Sequence, residues 1–221
     1  MADQANQTAQ VIQQTGIVAI IRVKNSENLL AAADALREGG VCAIEVTITT
    51  PGALDIVAKA VERFGPDVCF GAGTILDPET ARAAILAGAK FLVCPTLNVR
   101  TIRMSRRYTI PIYPGAYTPT EILTAWEAGA DMIKVFPADA GGPKYIKAVK
   151  APLPQVKMMA VGGVDLNTTA DFFRAGAEAV GVGSGLLNQK LLNQKDFKTI
   201  TERARRYCQE VAWGRALVNE E

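Results

Sequence analysis

The 221-residue chain contains no histidine. That absence excludes a Ser-His-Asp triad and Cys-His chemistry. It also removes the usual ligands of a catalytic zinc. Cysteine is sparse. Cys42, Cys69, Cys94 and Cys208 lie far apart and form no CxxC pair. Three of them fall in predicted strands, where cysteine acts as a small hydrophobe, and a reducing, cytoplasmic setting fits. No apolar run is long enough to span a membrane, and the polar N-terminus, with Asp3 and several glutamines, lacks the apolar core of a signal peptide. Excess charge is also missing, since the net value is +2 and the basic residues are scattered. The densest run, Arg100 to Arg107, carries four arginines and reads as a solvated helix face rather than a nucleic-acid patch. Chemistry must therefore come from Lys, Glu or Asp, Tyr, Ser or Thr, Cys, or the backbone.

What is present is a regular alternation. Residues 1–15 predict a polar-faced helix with Val11 and Ile12 as apolar contacts. Ile17 to Arg22 is a near-continuous apolar run, as a buried parallel strand requires. Ser26 is expected to cap a helix with Leu29, Leu30, Ala33 and Leu36 inward, stopped by Gly39-Gly40. Cys42 to Ile48 is the second strand. Pro51 is expected to open the next helix, with Leu54, Val57, Ala58 and Val61 on one face. Further strands are predicted at 68–72, 91–94, 110–113, 131–137, 157–161 and 179–182. Between them lie helices signalled by Asp77-Pro78, Asn98, Thr118-Pro119, Gly142-Pro143 and Asp165 or Asn167, and a last amphipathic helix follows residue 194. Eight strands alternating with helices predict a closed (β/α)8 TIM barrel with an additional N-terminal helix, spanning residues 1–221 as one domain. An open doubly wound sheet would carry a glycine-rich loop after the first strand, where Arg22-Val23-Lys24 stands instead.

Active sites of such barrels lie at the C-terminal ends of the strands. Those ends present Arg22, Glu45 with Thr47 and Thr49, Gly73-Thr74, Pro95-Thr96, Pro114-Gly115, Lys134 with Phe136, Gly162-Gly163 and Gly183-Ser184. Alternation puts Met132, Lys134 and Phe136 on one face of their strand, with Ile133 and Val135 on the other. A lysine among apolar neighbours is costly to bury as a cation, and losing the proton lowers that cost. A neutral amine is a nucleophile whose natural partner is a carbonyl carbon. The plainer alternative is a lysine that snorkels to water. Glu45 points inward by the same alternation and reads either as a structural ion pair with Lys134 or Arg22, or as an acid/base beside the amine. The two glycine clusters, Gly162-Gly163 and Gly183-Ser184-Gly185, suit backbone N–H groups that hold a phosphate. Thr74, or Arg22 with more charge, could hold a substrate carboxylate. Pro95 and Phe136 are expected as apolar walls.

The motifs Gly39-Gly40 with Ile44-Glu45-Val46-Thr47, Gly71-Ala72-Gly73-Thr74, Pro114-Gly115 with Thr118-Pro119-Thr120-Glu121, Lys134-Val135-Phe136-Pro137-Ala138, and Gly162-Gly163 occur in that order. Together they resemble the 2-keto-3-deoxy-6-phosphogluconate (KDPG) and 4-hydroxy-2-oxoglutarate (KHG) aldolases, a class I family. The resemblance implies Lys134 as the Schiff-base lysine and Glu45 as the acid/base. It implies that Thr74 and Pro95 contact the pyruvate portion, that Phe136 packs beside it, and that Gly162, Gly163 and Ser184 hold the phosphate. It also implies a homotrimer with no metal and no organic cofactor. Many members carry an arginine where Thr49 stands here, and Arg22 is the expected substitute for that charge. Many read Pro-Thr-Gly-Gly where this chain has Ala160-Val161-Gly162-Gly163, and Trp where Gly185 stands. The expected activity is cleavage of a keto acid to pyruvate and an aldehyde. The competing expectations are a phosphate-binding epimerase or isomerase without a covalent step, and a non-catalytic binder of a phosphorylated sugar acid.

Overall fold

The short apolar runs of the sequence become the staves of a barrel. The computed structural model describes residues 2–24 and 27–218, with side chains from Thr8 onward. Its strands are β1 (Ile17–Ile21), β2 (Ala43–Thr47), β3 (Cys69–Gly73), β4 (Leu92–Val93), β5 (Ile112–Tyr113), β6 (Gly115–Ala116), β7 (Ile133–Val135), β8 (Met158–Val161) and β9 (Ala179–Val182). All pairings are parallel, in the order β5-β4-β3-β2-β1-β9-β8-β7-β6. β5 and β6 are two halves of one stave, broken at Pro114, which has no N–H to give to a ladder. The first half pairs with β4 and the second with β7. The Asp131, Lys134 and Phe136 amides donate to the carbonyls of Ile112, Pro114 and Ala116. That stave therefore joins the two ends of the sheet, and the eight-stave barrel is closed.

The helices are α1 (Ala2–Thr15), α2 (Leu29–Glu38), α3 (Ala53–Phe64), α4 (Pro78–Leu86), α5 (Val99–Arg107), α6 (Pro119–Glu127), α7 (Gly142–Lys150), α8 (Thr169–Arg174), α9 (Gln189–Gln194) and α10 (Phe197–Val218), with one 3-10 turn at Ala138–Ala140. Several start where side-chain capping predicts. Asp77 caps α4, Asn98 caps α5, and Thr118 with Glu121 forms a full capping box on α6. The expected Ser26 cap lies outside the described residues. The residue immediately before α2 is Asn28, in a left-handed conformation. α3 begins at Ala53 rather than at Pro51, and it buries Ala53, Val57, Ala60 and Phe64 while Ala58 is exposed. The 4-3-4 spacing of that buried set follows one helical face, which the expected set had shifted by part of a turn. α9 was not anticipated: it is one short turn-and-a-half capped by Asn188.

Alternation along the staves sorts the core into two layers. Ile44, Val46, Ile133 and Val135 face the helices and pack with Leu36, Val57, Ile146 and Phe173. Ala43, Cys69, Phe91, Val93, Tyr113, Met132 and Met159 fill the inside of the barrel. Ile12 of α1 is fully buried in that inner group, with Val11 beside it, so α1 stoppers the N-terminal end. The interior is thus packed from below, and a cleft opens toward the C-terminal ends of the staves.

Candidate active site

Lys134 sits on β7 with Ile133 and Val135 turned outward, so its own side chain enters the barrel. The residue is 6% exposed, and its Nζ lies 5.0 Å from the centre of the Phe136 ring. Glu45 enters from β2 and is 1% exposed. β2 and β7 are not neighbours in the sheet, so the amine and the carboxyl approach from different staves. Burial pushes the Glu45 carboxyl above its ordinary value, against the lowering effect first of Lys134 and then of Arg22. Its Oε2 atom is buried without a hydrogen-bond partner. A buried carboxyl with a partnerless oxygen costs stability, and such groups are commonly kept for chemistry.

A cleft of about 430 Å³ opens above these groups. Lys134, Arg22, Pro95, Phe136, Gly162, Gly163, Gly183 and Ser184 all line it, as expected for a site at the ends of the staves. Lys134 lies at its inner end and the two glycine clusters along its rim. Gly162 and Gly163 both have positive φ, at 96° and 68°, which glycine adopts without strain. In the turn after β9, the Leu186 and Leu187 amides donate to the Gly183 carbonyl. Gly115 lies where any larger residue would collide with the Pro95 backbone, which brings that wall of the cleft close.

Three expected residues, Glu45, Thr49 and Thr74, do not line the cleft; Glu45 is buried within the barrel, and the other two lie past the ends of their strands. Thr49 is exposed beyond the end of β2 and does not line the cleft; its hydroxyl pairs with that of Thr47 at 3.0 Å. The chain turns after Thr47, where the Thr50 amide donates to the Thr47 carbonyl, and the strand alternation that would have aimed Thr49 inward ends there. Thr74 also lies outside the cleft lining, but its φ is 61°. A β-branched residue in that left-handed region is a true outlier and marks a strained position at the end of β3.

Sequence reasoning missed two supports. Thr50 is 1% exposed; its hydroxyl accepts from the Val23 amide at 3.3 Å and lies 3.5 Å from the Thr47 hydroxyl. It ties the segment that carries Arg22 to the strand that carries Glu45. Gly73, expected only at a strand end and within a motif, makes room for Glu45: a Cβ there would fall inside the Glu45 carboxylate, and 2.5 Å from Cγ. The absent side chain is what gives Glu45 its place. Neither feature is visible without tertiary neighbours, although the Thr47/Thr49/Thr50 cluster was a signal in plain sight.

The arrangement narrows the chemistry. Burial raises the thiols of Cys42, Cys69 and Cys208, and pushes Cys94, whose thiol feels both Lys134 and Glu45, to about 12. None is primed as a nucleophile. Among the described residues no cluster of three or more Cys, Asp or Glu is placed to hold a metal ion. A primary amine in a cleft with a glycine-lined rim remains, with a raised carboxyl buried in the same barrel.

A family model described as KDPG and KHG aldolase matches residues 8–203. The 2-dehydro-3-deoxy-6-phosphogalactonate aldolase of Escherichia coli K12 is 37% identical over 171 residues, 77% of this chain and 83% of that protein. The KHG/KDPG aldolase of the same organism is 34% identical over 200 residues, 90% of this chain and 93% of that protein. A solved KDPG aldolase from Legionella pneumophila, with pyruvate captured as a covalent carbinolamine, superposes with a TM-score of 0.83 at 28% identity, covering 90% of this chain and 96% of that one.

Proposed function

Because this chain belongs to the KDPG and KHG aldolase family, we propose that it performs reversible, Schiff-base aldol cleavage of a 2-keto-4-hydroxy acid at Lys134. The observation that carries the reading is a buried lysine lining the cleft, in the same barrel interior as a buried glutamate that feels its charge and has one oxygen without a partner.

The Lys134 amine attacks the C2 ketone, giving a carbinolamine, and loss of water leaves an iminium. The iminium draws the electron pair of the C3–C4 bond as it breaks. Glu45 takes the proton of the C4 hydroxyl, and the aldehyde departs. The enamine left behind is protonated at C3, and water hydrolyses the iminium to free pyruvate and the lysine. A carboxyl raised by burial suits this exchange, since it holds a proton more readily than an exposed carboxylate and can both accept and return one. Arg22 is proposed to bind the substrate carboxylate, in place of a charge at Thr49. Pro95 flanks the pyruvate portion and Phe136 walls it, while Thr74 is proposed to act from the end of β3, outside the cleft lining. Gly162, Gly163, Gly183 and Ser184 are proposed to receive a terminal phosphate through backbone N–H groups.

With 2-keto-3-deoxy-6-phosphogluconate the second product is glyceraldehyde 3-phosphate; with 4-hydroxy-2-oxoglutarate it is glyoxylate. A coupled assay for pyruvate release decides the substrate. The panel is those two acids, the galactonate epimer named for the E. coli relative, and unphosphorylated counterparts. We expect turnover with at least one member, fastest with a phosphorylated six-carbon acid. No pyruvate from any of them would overturn the reading. A cytoplasmic homotrimer belongs to the same proposal, with sedimentation equilibrium as the test of assembly. No helix among the described residues is long and apolar enough to cross a membrane.

A further inference from the structure

The glycine rim of the cleft is braced by α10. The turn after β9 runs through Gly183, Ser184 and Gly185, with its Gly183 carbonyl occupied by the Leu186 and Leu187 amides. The Arg203 guanidinium, from the second turn of α10, donates to the Gly185 carbonyl at 3.3 Å. One helical turn further on, Tyr207 is 2% exposed and packs against the same glycine: a Cβ on Gly185 would overlap the Tyr207 hydroxyl, with Tyr207 Cζ and Val182 Cγ1 the next atoms at 3.2 Å. Burial first, and then Asp165, raises the Tyr207 hydroxyl. Asp165 follows the other glycine pair by two residues, so the Tyr207 hydroxyl also feels the charge of that segment. Arg203 and Tyr207 are four residues apart and share that face.

We infer that Arg203 is a positioning residue for the phosphate end of the cleft, and that with Tyr207 it sets the preference of this enzyme for phosphorylated over plain keto acids. The inference rests on the phosphate-binding reading of the glycine rim. The Gly185 carbonyl shares a rigid peptide plane with the Leu186 amide, which closes the turn on the Gly183 carbonyl, so an arginine holding that carbonyl braces the closed turn that carries the Ser184 and Gly185 amides. Amides aimed in advance at an anion bind it without the cost of ordering a loop. Arg203 does not line the cleft, so it acts through Gly185 rather than by touching substrate. The chemistry at Lys134 lies at the other end of the cleft and does not need it.

The experiment is steady-state kinetics on Arg203→Met and Arg203→Lys, with 2-keto-3-deoxy-6-phosphogluconate and 4-hydroxy-2-oxoglutarate measured side by side. For Arg203→Met, KM for the phosphorylated acid should rise roughly tenfold, the worth of one hydrogen bond from a charged group, with kcat little changed. kcat/KM for the unphosphorylated acid should stay within about twofold. Arg203→Lys should recover part of the loss, and inhibition by inorganic phosphate should weaken in step with KM. An equal fall on both substrates would show a merely structural role and overturn the inference; so would no change on either. If the unaltered enzyme is indifferent to the phosphate and is not inhibited by inorganic phosphate, the reading of the rim itself fails, and this inference falls with it. A suppressor pair guards against a folding defect. Gly185→Ala pushes the turn off the Tyr207 hydroxyl and should raise KM for the phosphorylated acid. Adding Tyr207→Phe removes the colliding atom and should restore it. A double variant as impaired as Gly185→Ala alone would contradict the proposed contact.

Discussion

Replacing Gly73 by alanine tests the acid/base assignment without altering any reacting group. A Cβ at position 73 falls inside the Glu45 carboxylate and comes within 2.5 Å of Cγ. Moving the tip alone does not clear it, so the side chain must swing away from its place between β2 and β3. If Glu45 carries the proton, kcat should drop by roughly 10²–10⁴, the range for a positioned acid/base. That is about 3–5 kcal/mol of activation free energy. Stability should change far less. Overpacking costs about 1–3 kcal/mol, but alanine in a strand gains about 0.5–1 kcal/mol over glycine. Release of a carboxyl with a partnerless oxygen offsets a further ~1–3 kcal/mol. A double-mutant cycle completes the test. In a Glu45→Ala background the collision is gone, and Gly73→Ala should cost less than about threefold in kcat. The assay is pyruvate release under saturating substrate, with urea midpoints measured in parallel. Wild-type kcat in Gly73→Ala, or full additivity in the cycle, would refute the reasoning.

Glu45→Gln should lower kcat by roughly 10²–10⁴ while stabilising the fold at neutral pH. Because burial raises this carboxyl, its folded-state contribution is greatest below the unfolded value and is lost as pH rises through the folded one. The neutral amide escapes that loss, so the variant should gain about 1 kcal/mol, or about 2–4 °C in Tm, at pH 8. The gain should fade toward pH 4, and calorimetry that finds it equal at both pH values would count against the buried charge; Lys134, Arg22 and Cys94 are the groups facing it. Thr74→Gly should relieve the strain of a threonine at φ 61°. Relief of about 1–2 kcal/mol outweighs the roughly 0.5–1 kcal/mol that glycine loses in unfolded-chain entropy. Chemical denaturation should therefore show a small net gain alongside reduced kcat/KM, and a marked loss of stability would show that the threonine is not strained.

The barrel was legible in the sequence because each stave is a short apolar run bounded by caps and glycines. Asp77-Pro78, Asn98 and Thr118-Pro119 each mark a helix start, and all three do so here. Lys134 and Glu45 were legible for a different reason: a charged residue on the inner phase of an apolar strand has few other uses. What escaped notice depends on neighbours far away in the chain. The room that Gly73 makes for Glu45, the Thr50 tie to Val23, and the support of Gly185 by Arg203 all join separate elements. Local alternation also fails where a strand stops, which is why Thr49 was expected inside and is found outside. Pro114 hid the continuity of its stave, since proline normally argues against a central strand.

Borohydride reduction in the presence of pyruvate reaches the centre of the account, which is a covalent bond between one named amine and a keto acid. Peptide mapping after trapping should find the mass of a reduced pyruvyl group on Lys134 alone, with activity lost in proportion, and Lys134→Met should take no label. Labelling elsewhere with Lys134 intact, or full activity after reduction, would contradict it.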